Sequence, residues 1–227
     1  MIKRTIEKEL KELVKEYPVV TILGPRQSGK TTLAKTALKK YDYCNLEIPE
    51  QRTFAKEDPK AFLNQFKKNV ILDEIQRVPE LLSYIQSIVD INQKAGQYIL
   101  TGSHQLKLHE TINQSLAGRT AILQLLPFSI EELNKGNFKF DTFSDYCIKG
   151  FYPRVHDKNI RPTTAYSNYF QTYVEKDVRQ LINLKNLNLF EKFIKLLAGR
   201  VSQIVEYSSI ASDVGVDAKP LKNGFQS

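Results

Sequence analysis

The chain has 227 residues, enough for one α/β domain with a hydrophobic core and a smaller appended unit. Its 33 basic and 25 acidic residues give a net charge of +8 without a charged tail; this balance is compatible with a nucleic-acid partner but does not require one. Two distant cysteines, Cys44 and Cys147, predict neither a disulfide nor a zinc site. No apolar run approaches the roughly 18 residues of a membrane span, so we predict a soluble, cytoplasmic protein without membrane contact.

The first sixteen residues predict an amphipathic helix, because Ile6, Leu10 and Leu13 recur at helical spacing and Pro18 ends the pattern. Five short apolar runs then alternate with helix-length segments. This alternation predicts an α/β fold in three layers, with a parallel sheet buried between helices. The predicted strands are Val19–Leu23, Tyr43–Ile48, Val70–Leu72, Tyr98–Leu100 and Ile122–Leu126.

The first predicted strand runs into residues 24–31, which read G-x-x-x-x-G-K-T and precede a helix-favouring stretch. This pattern between a strand and a helix is typical of a P-loop, whose backbone amides bind the phosphates of a nucleotide. We expect Lys30 to contact the β- and γ-phosphates and the Thr31 hydroxyl to ligate magnesium. The predicted nucleotide-binding residues here are Gly24, Pro25, Arg26, Gln27, Ser28, Gly29, Lys30, Thr31 and Thr32.

A second motif consists of the apolar run Val70–Leu72 followed by Asp73 and Glu74. Acids at the carboxyl end of a buried parallel strand lie at the edge of the sheet where a P-loop also opens. This is the Walker B position, at which Asp73 is expected to hold magnesium, mostly through water, and Glu74 to polarise the attacking water. The alternative for Glu74 is a solvated carboxylate at a strand end.

The strand Tyr98–Leu100 is followed by small polar residues, of which Thr101 and Ser103 are candidates to sense the γ-phosphate or orient the water. The sequence does not choose between them, and both also suit an ordinary turn. Two arginines, Arg26 in the P-loop and Arg119 before the fifth strand, are candidate charge donors to a γ-phosphate, within one subunit or across an interface. Both also suit a surface position.

After Pro127 the apolar runs cease, so we predict a P-loop domain over residues 1–145 and a smaller all-helical region over 146–227. An aromatic stripe from Thr163 to Leu181 predicts a helix packed in a core, in preference to a base-stacking surface. A further helix is predicted from Leu187 to Ala198, ended by Gly199.

Together these motifs resemble those of the prokaryotic AAA-like ATPases that carry an uncharacterised C-terminal domain. The resemblance implies a P-loop ATPase of the additional-strand, catalytic-glutamate class, in which the strand ending near Thr101 separates the P-loop strand from the Walker B strand. It also implies ATP and Mg²⁺ as ligands and Arg119 as an arginine contact, with Lys30, Thr31, Asp73 and Glu74 in the roles given above. It runs from about Arg4 to Asp217, over the segments GPRQSGKTTL, VILDEIQRVPELLSYIQ, YILTGSHQL, SLAGRT, LLPFSIEEL, YVEKDVRQL and FIKLLAGR.

The resemblance stops near the C-terminus. In this family the ATPase domain is followed by a unit that looks like a winged helix and then by a nuclease-like fold. Residues 207–217 fit the first helix and turn of a helix-turn-helix, but Pro220 and Gly224 disfavour the recognition helix that should follow. We therefore expect a truncated or frameshifted form with an incomplete winged helix, for which the resemblance does not imply DNA reading.

The function favoured by these residues is a Mg²⁺-dependent ATPase that couples its nucleotide state to the C-terminal helical region. One alternative is a small-molecule P-loop kinase, against which Glu74 argues, because a kinase excludes water and needs no water-polarising base there. Another is a non-catalytic remnant or a nucleotide-gated binding module. A homo-oligomer is compatible with each of these, since related ATPases often complete their sites between subunits.

Overall fold

The protein is described from a computed structural model over residues 2–103, 106–174, 187–201, 203–204 and 206–215. It contains two compact units, Met1–Ala165 and Tyr166–Ser227, which are treated separately. The assignment of two domains to residues 1–145 and 146–227 stays a prediction.

The first unit is built on a sheet of five parallel strands in the order β2-β3-β4-β1-β5. This sheet confirms the predicted α/β class, and β4 lies between β1 and β3, as the resemblance implies. The strands are β1 (Val19–Gly24), β2 (Asp42–Asn45), β3 (Val70–Asp73), β4 (Tyr98–Ser103) and β5 (Thr120–Gln124).

Helices cover both faces of the sheet, because alternate residues of each strand point to opposite sides. Val19 and Leu23 of β1 join a core with the helices between β2 and β5, whereas Val20 and Ile22 join a second core with the first two helices. Leu10 is fully buried in that second core, so the predicted N-terminal amphipathic helix does pack on the sheet. The described helices up to Tyr169 are α1 (Glu7–Glu16), α2 (Lys30–Ala37), α3 (Pro49–Glu57), α4 (Pro59–Asn64), α5 (Leu81–Asn92), α6 (Leu106–Leu116), α7 (Ile130–Lys135), α8 (Phe143–Lys149), α9 (Pro153–Asp157) and α10 (Pro162–Tyr169), with a 3₁₀ turn at Ile75–Arg77.

The pairing register brings the carboxyl ends of three strands to one edge of the sheet. Gly24 at the end of β1 pairs with Ser103 at the end of β4, and Leu72 of β3 pairs with Leu100 of β4. Parallel strands in register end on the same side, so the P-loop and the acids after β3 open onto the same space.

A small third cluster anchors the N-terminal segment to the chain that follows β5. Ile2 packs with Phe128, Leu133 and Tyr146. Above it, Ser129 and Glu132 form a reciprocal capping box that begins α7. This anchoring brings residues 2–5 beside the P-loop.

The second unit is helical in its described part. The predicted helix Leu187–Ala198 is present, and a second helix, Tyr207–Val214, ends at Gly215 with φ 85°. That residues 207–217 form the first helix and turn of a helix-turn-helix stays a prediction. The predicted aromatic stripe begins in α10 and continues as a π-helical turn over Phe170–Val174. Its remainder, and the segment after residue 215, lie outside the described residues. None of the described helices has the length and apolarity needed to span a membrane.

Candidate nucleotide-binding site

The P-loop, residues 24–31, leaves β1 at Gly24 and enters α2 at Lys30. Gln27 with φ 61° and Gly29 with φ 95° both adopt left-handed backbone conformations, which turn the chain sharply into the helix. A Cβ on Gly24 would lie 2.1 Å from the carbonyl oxygen of Leu125, so only glycine allows the chain after β5 to run this close. The first amides of α2, which have no partner within the helix, thus lie beside the carboxyl end of β1.

Two polar side chains of the P-loop are buried. Lys30 is 5% exposed, and its Nζ donates to the carbonyl oxygens of Gly24 at 3.0 Å and Pro25 at 2.9 Å. Burial lowers the pKa of Lys30, against the opposing charges of Glu74 and Asp73. The Ser28 Oγ is fully buried without a hydrogen-bond partner in the described part of the chain.

The buried carboxylate of Asp73 accepts hydrogen bonds from three hydroxyl groups. The Thr31 Oγ1 lies 2.9 Å from each carboxylate oxygen. The Thr101 hydroxyl donates to Oδ1, and the Tyr43 hydroxyl donates to Oδ2 at 2.8 Å. Of the two predicted sensor residues, Thr101 is thus the one in direct contact with Asp73.

Glu74 occupies a left-handed conformation with φ 60°, and its side chain lines an open cavity beside the P-loop. The Gln76 amide donates to Glu74 Oε2 and, at 3.3 Å, to Ser103 Oγ. Ser103 therefore reaches the site through Gln76 rather than by its own contact with the acids. Burial raises the pKa of Glu74, while the Gln76 hydrogen bond and the Lys30 charge oppose that shift.

An open cavity of about 330 Å³ lies over the P-loop. Gly29, Lys30, Thr31 and Thr32 line one side of it with Glu74. Two exposed cations of the α9 region, Arg154 and Lys158, line it as well. Sequence reasoning missed both, because a short helix beginning at Pro153 carries no motif and its approach to the loop is a tertiary contact.

A second cavity, of about 160 Å³, adjoins the first at Gly29 and Thr32. Ile2, Leu33, Phe128 and Pro153 give it an apolar lining. Polar groups in its wall belong to Lys3, Arg4, Glu7, Thr36 and Asp157. Its residues come from four separate parts of the sequence, so no local pattern could have indicated it.

The two predicted arginines differ in their placement. Arg26 is part of the P-loop, and its charge acts on Lys30. Arg119 lies at the amino-terminal end of the strands, opposite the P-loop. Its carbonyl accepts from the Val19 amide at the start of β1, and the strand from Val19 to Gly24 spans about 16 Å. Its guanidinium makes a two-pronged ion pair with Asp90, including a contact of 2.9 Å. The structure does not bring Arg119 into this site, so its role across a subunit interface stays a prediction.

Comparison with known proteins identifies the family of the domain that carries this site. A sequence profile described as an AAA domain matches residues 16–134, more than half of the 227 residues. The chain belongs to this family of AAA domains. A second profile, described as a domain of unknown function (DUF8612), matches residues 140–226, so the AAA domain is followed by an additional C-terminal domain.

Two curated relatives of this AAA protein carry the description "uncharacterized protein". One from Mycobacterium tuberculosis is 28% identical over 182 residues, which are 79% of this chain and 40% of that protein. One from Haemophilus influenzae is 24% identical over 170 residues, 70% of this chain and 42% of that protein. The chain thus spans about two fifths of the length of the curated relatives it matches.

A Walker-type ATPase of Pyrococcus abyssi has a similar structure, with a TM-score of 0.55 at 16% identity. The match covers 95% of this chain and 89% of that one. At this identity the likeness concerns the fold, which is that of a P-loop ATPase.

Proposed function

We propose that this AAA domain binds ATP together with Mg²⁺ and hydrolyses the bond to the γ-phosphate. The observation that carries the proposal is the convergence of Lys30, Thr31 and Glu74 on one open cavity, with Asp73 hydrogen-bonded to Thr31 beneath it. This set combines an anion-binding loop, a ligand pair for a hard cation and a carboxylate that can act on water.

The residues of the P-loop fit a triphosphate. The buried Ser28 hydroxyl, which has no partner among the described residues, and the start of α2 supply neutral donors. The Lys30 ammonium has three protons, of which two are directed to loop carbonyls among the described residues. Arg154 and Lys158 on the wall of the cavity add positive charge, which Asp157 and Glu74 oppose. The neutral donors and the three cations together favour an anionic ligand.

The neighbouring oxygens fit a magnesium ion. Asp73 supplies a carboxylate and Thr31 a hydroxyl, and these hard donors approach within 2.9 Å of each other. Mg²⁺ is usually held by one or two such groups together with water and phosphate oxygens. When bound, it would neutralise charge on the phosphates.

Glu74 is the group that would polarise the attacking water. Its side chain lines the cavity, and the hydrogen bond from Gln76 fixes the Oε2 oxygen of the carboxylate. A small-molecule kinase excludes water and requires no water-polarising base, so a carboxylate in an open cavity favours hydrolysis over transfer.

The smaller cavity suits the base of the nucleotide. It adjoins the phosphate cavity at Gly29 and Thr32, and Ile2, Phe128 and Pro153 offer apolar contacts to a planar ring. Coupling of the nucleotide state to the C-terminal domain, a nucleic-acid partner and a homo-oligomer stay predictions. The charge of +8 supports the second of these only weakly.

The test compares the wild type with Lys30→Ala, Glu74→Gln and a surface control, Lys15→Ala. Binding is measured with a fluorescent ATP analogue and Mg²⁺, and turnover by release of inorganic phosphate. We expect Lys30→Ala to lose binding at least about tenfold, since it removes a buried ammonium facing the phosphates. Glu74→Gln should keep binding and lose turnover by about 10²–10⁴-fold.

Lys15 pairs with Glu12 on the surface of α1, so its removal should change neither quantity. The proposal fails if the wild type unfolds cooperatively, and is therefore folded, but does not bind the analogue. Wild-type turnover in Glu74→Gln would refute the assigned role of the carboxylate.

A further inference from the structure

Tyr43 lies on β2, the strand at the edge of the sheet beside β3. Its Cα pairs with Ile71 and Asn45 pairs with Asp73, so Tyr43 and Asp73 share one face of the sheet, one pleat apart. A tyrosine is long enough to span this diagonal, and its hydroxyl donates to Asp73 Oδ2 at 2.8 Å. The contact therefore follows from the register of two neighbouring strands.

The ring of Tyr43 is fixed on both sides. It packs into the core between the sheet, α1 and α2. The Lys35 ammonium lies 3.9 Å from the ring centroid, within the range of a cation–π contact. Lys35 follows Thr31 by one helical turn on α2, so the same helix that presents Thr31 to Asp73 also holds the ring that presents the phenol.

The two oxygens of Asp73 are served by different donors. Thr101, from the central strand β4, donates to Oδ1, and Tyr43, from the edge strand β2, donates to Oδ2. Thr31 reaches both oxygens and is itself a candidate metal ligand. Donors at both oxygens fix the plane of a carboxylate, and such partners of metal ligands typically change metal affinity or activity by about 10–100-fold when removed.

We propose that Tyr43 is a positioning residue that orients Asp73 for magnesium and so sets the Mg²⁺ dependence of nucleotide binding. The inference rests on the proposed function, because it assumes that Asp73 serves a metal beside bound ATP. It assigns to the phenol no contact with the nucleotide.

The test uses Tyr43→Phe, which keeps the ring, the core packing and the Lys35 contact and deletes only the hydroxyl. The matched control is Tyr41→Phe. Tyr41 packs on the same core, and its hydroxyl pairs with Asn69 instead of Asp73. Both variants are first checked for a cooperative urea transition in the full chain.

A fluorescent ATP analogue is titrated once in EDTA, and Mg²⁺ is then titrated at a fixed, subsaturating analogue concentration. We expect Tyr43→Phe to bind the metal-free analogue within about twofold of wild type and to raise the Mg²⁺ concentration at half-effect by about 10–100-fold. Tyr41→Phe should match the wild type in both titrations. A purely structural role of Tyr43 would not separate the two titrations.

An unchanged or lowered Mg²⁺ requirement in Tyr43→Phe overturns the inference, and so does an equal shift in Tyr41→Phe. Failure of the proposed function gives a different result, namely a folded wild type that binds the analogue neither in EDTA nor with Mg²⁺.

Discussion

Arg4 links the P-loop to the segment after β5 by hydrogen bonds and an ion pair. Its replacement by methionine tests how much these contacts contribute to the free energy of unfolding. Its Nη1 donates to the Ser28 carbonyl at 2.8 Å, and its Nη2 to the Leu126 carbonyl at 2.6 Å. Its Nε pairs with Glu132 at 3.1 Å, where the two side chains are 10% and 3% exposed. Methionine keeps much of the aliphatic stem, so the loss is mainly that of the charge and its hydrogen bonds.

The magnitude follows from the burial of the pair. Removing one partner of a buried ion pair costs about 3–5 kcal/mol, because the other charge stays buried without compensation. Glu132 would keep its hydrogen bonds from the Thr5 and Ser129 amides, which places the expected loss near the lower bound, about 3 kcal/mol. That is a large part of a typical unfolding free energy of about 5–15 kcal/mol.

The assay is urea unfolding at pH 7 of the wild type, Arg4→Met, Glu132→Gln and the double variant. The cycle should give a coupling of about 1–3 kcal/mol. Lys11→Ala is the control, because Lys11 pairs with Glu7 along α1 with its side chain 48% exposed, and its removal should cost about 0.5 kcal/mol or less.

The contribution of Glu132 to the free energy of unfolding decreases as the pH falls. The amides of Thr5 and Ser129 and the charge of Arg4 hold the pKa of Glu132 below its usual value against the opposing effect of burial. A lowered carboxyl pKa contributes stability above the unfolded pKa and loses it as the pH falls through the folded one. The difference between wild type and Arg4→Met should therefore shrink as the pH is lowered below about 4. A loss in Arg4→Met no larger than that of Lys11→Ala would refute this reasoning.

Two further predictions concern the close approach at Gly24 and the two cysteines. Gly24→Ala should lower the free energy of unfolding in urea by about 1–3 kcal/mol, since its Cβ would meet the Leu125 carbonyl oxygen at 2.1 Å. The control Gly199→Ala should be near neutral, because the nearest atom to its Cβ lies at 3.6 Å. Equal losses in the two variants would contradict the account. With a chromogenic disulfide reagent at pH 8, only one thiol should react quickly, the exposed Cys147. Burial raises the pKa of Cys44 to about 11, so about one thousandth of the Cys44 side chains are thiolate at pH 8. Fast labelling of both thiols in the native protein would disprove this protection.

Much of the fold was predictable because its signals are local. Each buried strand is a short apolar run, and the P-loop needs its glycines, Lys30 and Thr31 at fixed spacing for steric and chemical reasons. The predicted strands all exist, with shifts of a few residues at their ends. The predicted β2 run extended to Ile48, but the chain after Asn45 turns into α3, where Pro49 occupies a first helical position.

The partners within the site were less predictable, because a strand pattern does not specify its neighbours. The choice between Thr101 and Ser103 depends on the placement of β4 against β3, which brings Thr101 to Asp73 and leaves Ser103 to Gln76. In the sequence Tyr43 is an aromatic residue of a strand with no sign of a polar partner. The pairing of β2 with β3 brings its hydroxyl to Asp73.

The sequence by itself determined the chemistry available at the loop: backbone amides freed by glycine, one lysine, one threonine and a pair of acids after a strand. Only the tertiary structure decided which groups meet there. It places Arg119 at the amino-terminal end of the strands, away from the P-loop, and it brings Arg154 and Lys158 to the cavity over the P-loop. The physical reason is that residue type and spacing act within a turn or a strand, whereas register, strand order and the return of distant segments arise from packing of the whole core.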